Sequence, residues 1–225
     1  GAPSPQGCPQ GQSNVGRELG LVSGQHVANY ACSAAKAAGH SHRKDFDEQI
    51  NGAIANNDLN GEMKNVLIQF GANDLQEILR PSFSSFNPYY DGMKHSIQRI
   101  RHAAPNARIT VVGYPAISAR NGAVCPLRTS APGSSEAGFN MDYAGLVRTG
   151  EDQVNGAMYK AARANGVQYY DLRADSIDHG MCAPDSTRWI SGKWEYSVSH
   201  NLFNHLTHLG NRNVAQLLNS KVLAH

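Results

Sequence analysis

The 225-residue chain lacks the long apolar run, the surplus of one charge and the CxxC motif that mark several classes of protein. No apolar stretch approaches the roughly 18 residues of a membrane-spanning helix, so we expect no membrane span. A net charge of +2 with 17% charged residues provides no basic face, which argues against a nucleic-acid partner. The four cysteines include no CxxC pair, and their spacing matches no zinc site.

The cysteines lie in stretches rich in glycine, proline and serine. They are Cys8, Cys32, Cys125 and Cys182. Their even number favours two disulfides over four buried thiols, and pairing within each half of the chain is one of three possible connectivities. Two disulfides would indicate maturation in an oxidising compartment, so we expect a secreted protein. The first five residues resemble no signal peptide, as in a secreted protein after processing.

Short apolar runs alternate with helical patterns along the whole chain. Strands are predicted over residues 26–31, 66–70, 108–114 and 167–171. Helices are predicted over residues 13–21, 45–55, 89–104, 143–164 and 211–223. Strands separated by helices indicate parallel βαβ units in a doubly wound α/β sheet, and we expect one domain over residues 1–225.

Polar side chains follow the strand predicted over residues 66–70, in the run Gly71-Ala72-Asn73-Asp74. Ligands bind beyond the carboxyl ends of the strands in an open α/β sheet, so Asn73 lies where chemistry is expected. Its amide is a neutral donor that could stabilise an oxyanion. The alternative is an ordinary turn, because glycine, asparagine and aspartate are common turn residues.

A second polar stretch, residues 202–212, precedes the last predicted helix and contains His205 and His208. A histidine in such a loop is a candidate general base, because its unperturbed pKa is near neutrality. With ten histidines in the chain, a structural role is the alternative for either one.

Together these stretches resemble the SGNH (GDSL-type) hydrolases, a family of secreted serine esterases and lipases. Residues 30–35, Tyr-Ala-Cys-Ser-Ala-Ala, resemble the block that supplies a backbone oxyanion donor, here Ala34. Gly71 to Asp74 resemble the block whose asparagine, here Asn73, donates to the oxyanion, with Gly71 in the same oxyanion hole. His205-Leu206-Thr207, with Gly210 further on, resembles the block of the catalytic base and selects His205 over His208.

The resemblance implies a flavodoxin-like three-layer α/β/α fold with a central parallel sheet. It also implies disulfides between Cys8 and Cys32 and between Cys125 and Cys182, as in related microbial enzymes. No metal or organic cofactor is implied, and the partner is expected to be a small-molecule, lipid or carbohydrate ester.

The chain departs from the family pattern at two positions and in one absent segment. Ala34 stands where the family usually has glycine, and its N–H can still donate if the backbone does not need a positive φ. Leu202 stands where an aspartate usually orients the histidine, so a backbone carbonyl there would have to replace the carboxylate. The Gly-Asp-Ser strand that carries the nucleophile is expected before Cys8 and is absent. We therefore expect an additional N-terminal segment, either cleaved and retained or preceding residue 1.

Ser13 is the candidate nucleophile within the chain. Gly11-Gln12-Ser13-Asn14 resembles the start of the sialate and acetylxylan O-acetylesterases. The alternative role for Ser13 is a helix N-cap. The sequence thus predicts a secreted serine hydrolase of carboxylic esters. The alternatives are a catalytically silent glycan- or lipid-binding protein of the same fold, or an O-acetylesterase that uses Ser13.

Overall fold

The computed structural model describes residues 3–38, 44–80, 86–196 and 198–224. The strands are β1 (Asn65–Ile68), β2 (Arg108–Val112) and β3 (Gln168–Tyr170). The α-helices are α1 (Val15–Ser23), α2 (Phe46–Ala55), α3 (Leu75–Leu79), α4 (Pro88–Ala103), α5 (Leu146–Ala164), α6 (Leu172–Ser176) and α7 (His208–Leu218). None of the described helices is long and apolar enough to cross a membrane.

The three strands pair in parallel in the order β1-β2-β3, with Val66 opposite Ile109 and Val111 opposite Tyr169. Buried side chains of α2, α4 and α5 pack on one face of this sheet. Those of α1, α6 and α7 pack on the other face. Apolar cores on both faces give the three-layer α/β/α arrangement and the parallel sheet that the sequence predicted.

One predicted strand is wrong. Residues 26–31 form no strand in the structure, because none of the described segments pairs with them, and residues 26–29 instead line a cavity of about 500 Å³ together with the N-terminal loop. Side chains bind the backbone of this segment instead: Gln10 Nε2 donates to the carbonyl oxygens of Asn29 (3.0 Å) and Ala31 (3.3 Å).

Helix boundaries differ from the predicted ones where a side chain caps the first turn. Asn14, and not Ser13, caps α1 by accepting from the N–H of Arg17 at 2.9 Å. Thr207 caps α7 and starts it three residues before the predicted Asn211. Asp142 accepts hydrogen bonds from the first two N–H groups of α5, which begins at Leu146.

The outer edge of β1 has no strand beside it within the described part of the chain. Both faces of β1 are nevertheless covered, since Val66 and Ile68 pack into one apolar cluster and Leu67 packs into the other. Covering on both faces is typical of an inner strand of a parallel sheet. The backbone groups along this edge therefore lie in the position of an inner strand, with no sheet partner among the described residues.

The surroundings of two helical glycines, one in α4 and one in α5, predict opposite effects for their substitution by alanine. A Cβ at Gly92 would collide with the carbonyl oxygen of Ala37, so Gly92→Ala should lower the free energy of unfolding by about 1–3 kcal/mol. A Cβ at Gly156 in α5 meets nothing within 4 Å, so Gly156→Ala should raise it by up to about 1 kcal/mol. Urea unfolding of both variants measures this, and equal effects would contradict the described packing of α4.

Candidate active site

The chain turns sharply after β1 and brings polar side chains to the carboxyl edge of the sheet. Gly71 has a φ of +154°, and a Cβ there would lie 3.2 Å from the side chains of Val154 and Met158. Only glycine adopts this backbone conformation readily, so its conformational freedom accounts for Gly71 at this position. The N–H of Asp74 then donates to the carbonyl oxygen of Gly71 at 2.9 Å and closes a single turn that carries Asn73.

Asn73 and the loop of residues 34–38 are brought together. The side chain of Asn73 is exposed, and its Nδ2 donates to the carbonyl oxygen of Ala35 at 3.0 Å. A primary amide carries two N–H donors, so this bond leaves one of them for another acceptor. Two of the predicted oxyanion positions, Ala34 and Asn73, therefore lie on loops that contact each other.

Ala34 adopts a φ of +63°, in the left-handed region. The assumption that the backbone at this position does not need a positive φ is therefore wrong. Left-handed backbone costs a non-glycine residue roughly 1–2 kcal/mol, which explains why glycine is usual at this position in the family. The neighbouring contacts of Asn73 and of the Cys8–Cys32 disulfide hold the loop in this conformation.

His205 is exposed and has a defined orientation. Its Nδ1 lies 2.8 Å from the carbonyl oxygen of Phe203. A carbonyl can only accept, so Nδ1 carries the proton of the neutral ring and Nε2 has a free lone pair. The carbonyl of Leu202, which was expected to orient the ring, instead accepts a hydrogen bond from the hydroxyl of Ser191 at 2.9 Å.

Ser191 connects the histidine loop to the preceding segment of the chain. It is fully buried, and its N–H donates to the carbonyl oxygen of His205 at 2.9 Å. Its own carbonyl oxygen accepts from the N–H of Asn204, which has a φ of +59°. The N–H of Thr207 also donates to Trp189, at 2.7 Å. The segment around Ser191 thus sets the backbone on which His205 is carried.

A buried ion cluster holds that segment in turn. Arg188 Nη1 donates to Glu195 at 2.7 Å, and Arg188 Nη2 donates to Asp185 at 2.8 Å. Arg128 approaches Asp185 at 3.3 Å, and its side chain is as fully buried as that of Arg188. Burial lowers the pKa of Arg128. Burial alone would raise the pKa of Asp185, but hydrogen bonds from Arg188 and from the N–H of Gly133 lower it overall.

Two disulfides fasten the loops of the site. Cys8 pairs with Cys32, two residues before Ala34, and Cys125 pairs with Cys182. This is the pairing that the family resemblance implies. The second disulfide and the buried ion cluster both join the region around residue 125–128 to the region around residue 182–188.

Ser13 is hydrogen-bonded to the C-terminal segment through Asn201 and Asn211. Its hydroxyl donates to Glu18 at 3.1 Å, and its carbonyl oxygen accepts from Asn201 at 2.6 Å. The Oδ1 of Asn201 lies 3.4 Å from Nε2 of His208. Within this cluster Ser13 is connected, through Asn201, to His208.

The three-layer α/β fold, with polar loops at the carboxyl edge of its parallel sheet, is that of the SGNH hydrolases. The chain matches the model of the GDSL-like Lipase/Acylhydrolase family over residues 1–212 and belongs to that family. Lipase 2 of Streptomyces coelicolor is 30% identical over 102 residues, which are 45% of this chain and 32% of that protein. The match therefore spans about a third of the length of this relative.

Solved structures share the fold at low sequence identity. The extracellular lipase of Streptomyces rimosus has a TM-score of 0.53 at 17% identity, with 90% of this chain and 85% of that chain covered. Est24, a carbohydrate acetylesterase of Sinorhizobium meliloti, has a TM-score of 0.56 at 15% identity, with 99% and 92% covered. These likenesses concern the fold.

Sequence reasoning missed the residues that support the histidine loop. Ser191, Arg188 and Glu195 lie in irregular backbone, where no helical or strand periodicity marks a side chain as buried. The spacing of three residues between Asp185 and Arg188 was the one visible signal of an ion pair.

The ion cluster predicts a large difference between two arginine substitutions. Arg188→Met leaves Asp185 and Glu195 buried with one arginine fewer, so we expect the free energy of unfolding to fall by about 3–5 kcal/mol. Arg120→Met breaks an exposed pair with Asp178 and should change stability little. Urea denaturation measures both, and a small effect of Arg188→Met would mean that the cluster does not support this segment.

Proposed function

We propose that this protein is a secreted carboxylic ester hydrolase that uses a serine nucleophile and His205 as the general base. Family membership supports an acylhydrolase. The observation that carries the finer proposal is the orientation of His205, whose Nδ1 bonds a carbonyl oxygen and leaves Nε2 as a proton acceptor. The two disulfides support secretion.

In this mechanism the serine hydroxyl attacks the acyl carbon while His205 Nε2 takes its proton. The oxygen of the tetrahedral intermediate accepts hydrogen bonds from the second amide N–H of Asn73 and from the N–H of Ala34. His205 then gives the proton to the leaving alcohol, and a water molecule releases the acid in the reverse sequence of proton transfers.

The carbonyl of Phe203 takes the place of the usual aspartate beside His205. Its oxygen accepts from Nδ1 at 2.8 Å and selects the same tautomer as a carboxylate would. A carbonyl dipole stabilises the charged imidazolium less than a full negative charge does. The Phe203 carbonyl therefore acts mainly by orienting the ring.

The nucleophile is assigned to a further strand that pairs with the open edge of β1. The covering of both faces of β1 supports an inner position, and the carboxyl end of a strand inserted there would lie next to the turn of Asn73. The N-terminal segment expected from the sequence would supply this strand. Ser13 is the alternative, and its connection to His208 through Asn201 is the observation that favours it.

Fluorophosphonate labelling followed by peptide mapping tests this assignment. We expect label on a serine outside residues 1–225, in the same protein or in a retained peptide, and loss of labelling in His205→Ala. Label on Ser13 that is lost in His208→Ala would identify Ser13 as the nucleophile and favour the O-acetylesterase alternative. A protein that takes no label and hydrolyses no p-nitrophenyl ester would be the catalytically silent binder, and the proposal would be wrong.

Asn73→Ala removes the side-chain oxyanion donor and should lower kcat for p-nitrophenyl acetate by roughly 100- to 1000-fold. The matched control is Asn106→Ala. Asn106 is also exposed and donates to a backbone carbonyl, that of Gly61, but it precedes β2 and so lies at the opposite edge of the sheet. Equal kinetics of the two variants would remove Asn73 from the mechanism.

A further inference from the structure

Asp74 is a fully buried carboxylate that the proposed mechanism does not use. It directly follows Asn73 in the turn after β1. Its two carboxylate oxygens accept hydrogen bonds from the N–H of Ala37 at 3.0 Å and from the N–H of Ala38 at 2.9 Å. One side chain therefore joins the turn of Asn73 to the loop that carries Ala34.

Charged and titratable groups surround Asp74 on several sides. Burial raises its pKa to about 6, against the opposing effect of its two backbone hydrogen bonds. Glu77 of α3 raises the pKa further, and Lys36 of the facing loop lowers it. Tyr89 of α4 and Tyr114 after β2 also face Asp74, each with a pKa raised by burial. Asp74 thus changes its charge close to neutral pH.

We propose that Asp74 is a positioning residue that holds the loop of residues 34–38 against the turn of residues 71–74, and that protonation of Asp74 weakens this hold. The inference rests on the proposed function, because it gives Asp74 the task of aligning Asn73 with the N–H of Ala34. The ionised carboxylate accepts both N–H groups. The protonated acid presents one hydroxyl oxygen, which is a poorer acceptor and needs an acceptor of its own.

Other contacts keep the loop folded when Asp74 is changed. The N–H of Lys36 donates to Asp45 at 3.0 Å, and the N–H of Phe46 donates to the carbonyl oxygen of Lys36 at 3.1 Å. Asn73 bonds Ala35 independently of Asp74. Asp74→Asn should therefore fold and shift the loop locally, and a misplacement of about 1 Å can cost roughly 100-fold in rate.

Catalysis and stability respond to acid with opposite signs in this proposal. The folded-state pKa of about 6 lies above the usual value for aspartate of about 3.9, so the folded state binds this proton more tightly than the unfolded state. Asp74 then stabilises the fold below about pH 4, and this contribution is lost as the pH rises through about 6. Its protonation should loosen the loop without unfolding the protein.

Amide NMR of protein labelled with 15N-alanine tests the proposal without relying on activity. The amide signals of Ala37 and Ala38 should titrate together with a midpoint near pH 6 and should not do so in Asp74→Asn. Glu77→Gln removes a neighbouring negative charge and should move the shared midpoint to lower pH. Amides that do not titrate in the wild-type protein, or that keep their midpoint in Asp74→Asn, would overturn the proposal.

Kinetic measurements above about pH 7.5, where Asp74 is ionised, test whether Asp74 aligns the two oxyanion donors. Asp74→Asn should lower kcat about 10- to 100-fold with little change in KM, because the oxyanion donors are misaligned while ground-state binding is kept. An unchanged kcat for Asp74→Asn, when Asn73→Ala is impaired, would overturn this inference alone. If Asn73→Ala is equally unimpaired, the proposed function fails with it. If Asp74→Asn does not fold, the wild-type amide titration still decides.

Discussion

Parallel pairing of β1 with β2, covered on both faces, is the constraint on which the rest of the structure depends. Parallel strands end at the same edge of a sheet, so every connection from a strand to the next helix must cross that edge. The turn after β1 carries Asn73 and Asp74 there because its chain direction is set by this pairing. Helices on both faces leave the edge as the open place for polar loops.

The polar loops at that edge lie outside the strand pairing, so other hydrogen bonds must hold them in place. On one side, Asn73 and Asp74 bond the backbone of residues 35–38. On the other side, Ser191 and the buried arginines hold the backbone that carries His205. Both arrangements give buried charged side chains hydrogen-bond partners and also fix the positions of exposed residues.

The elements that the sequence predicted correctly are those in which side-chain periodicity and burial coincide. The three strands of the sheet and the long helices α4 and α5 carry regular apolar patterns, so their existence follows from local sequence. Residues 26–31 have the composition of a strand, but a strand needs a neighbour, and none of the described segments pairs with this one. The positive φ of Ala34 could not be predicted from the sequence either, because alanine does not favour this conformation.

The sequence by itself determined the α/β class, the turn that ends in Asn73 and Asp74, and the histidine loop, because these depend on neighbours within a few residues. Tertiary structure alone decided which carbonyl faces His205, that Ser191 bonds the backbone of that loop, and that Asp74 bonds Ala37 and Ala38. The bonds of Ser191 and Asp74 join segments that are distant in sequence, and the local contact of His205 with Phe203 depends on a loop backbone that Ser191 holds. Their geometry follows from how the packed layers bring distant loops together, which no local propensity encodes.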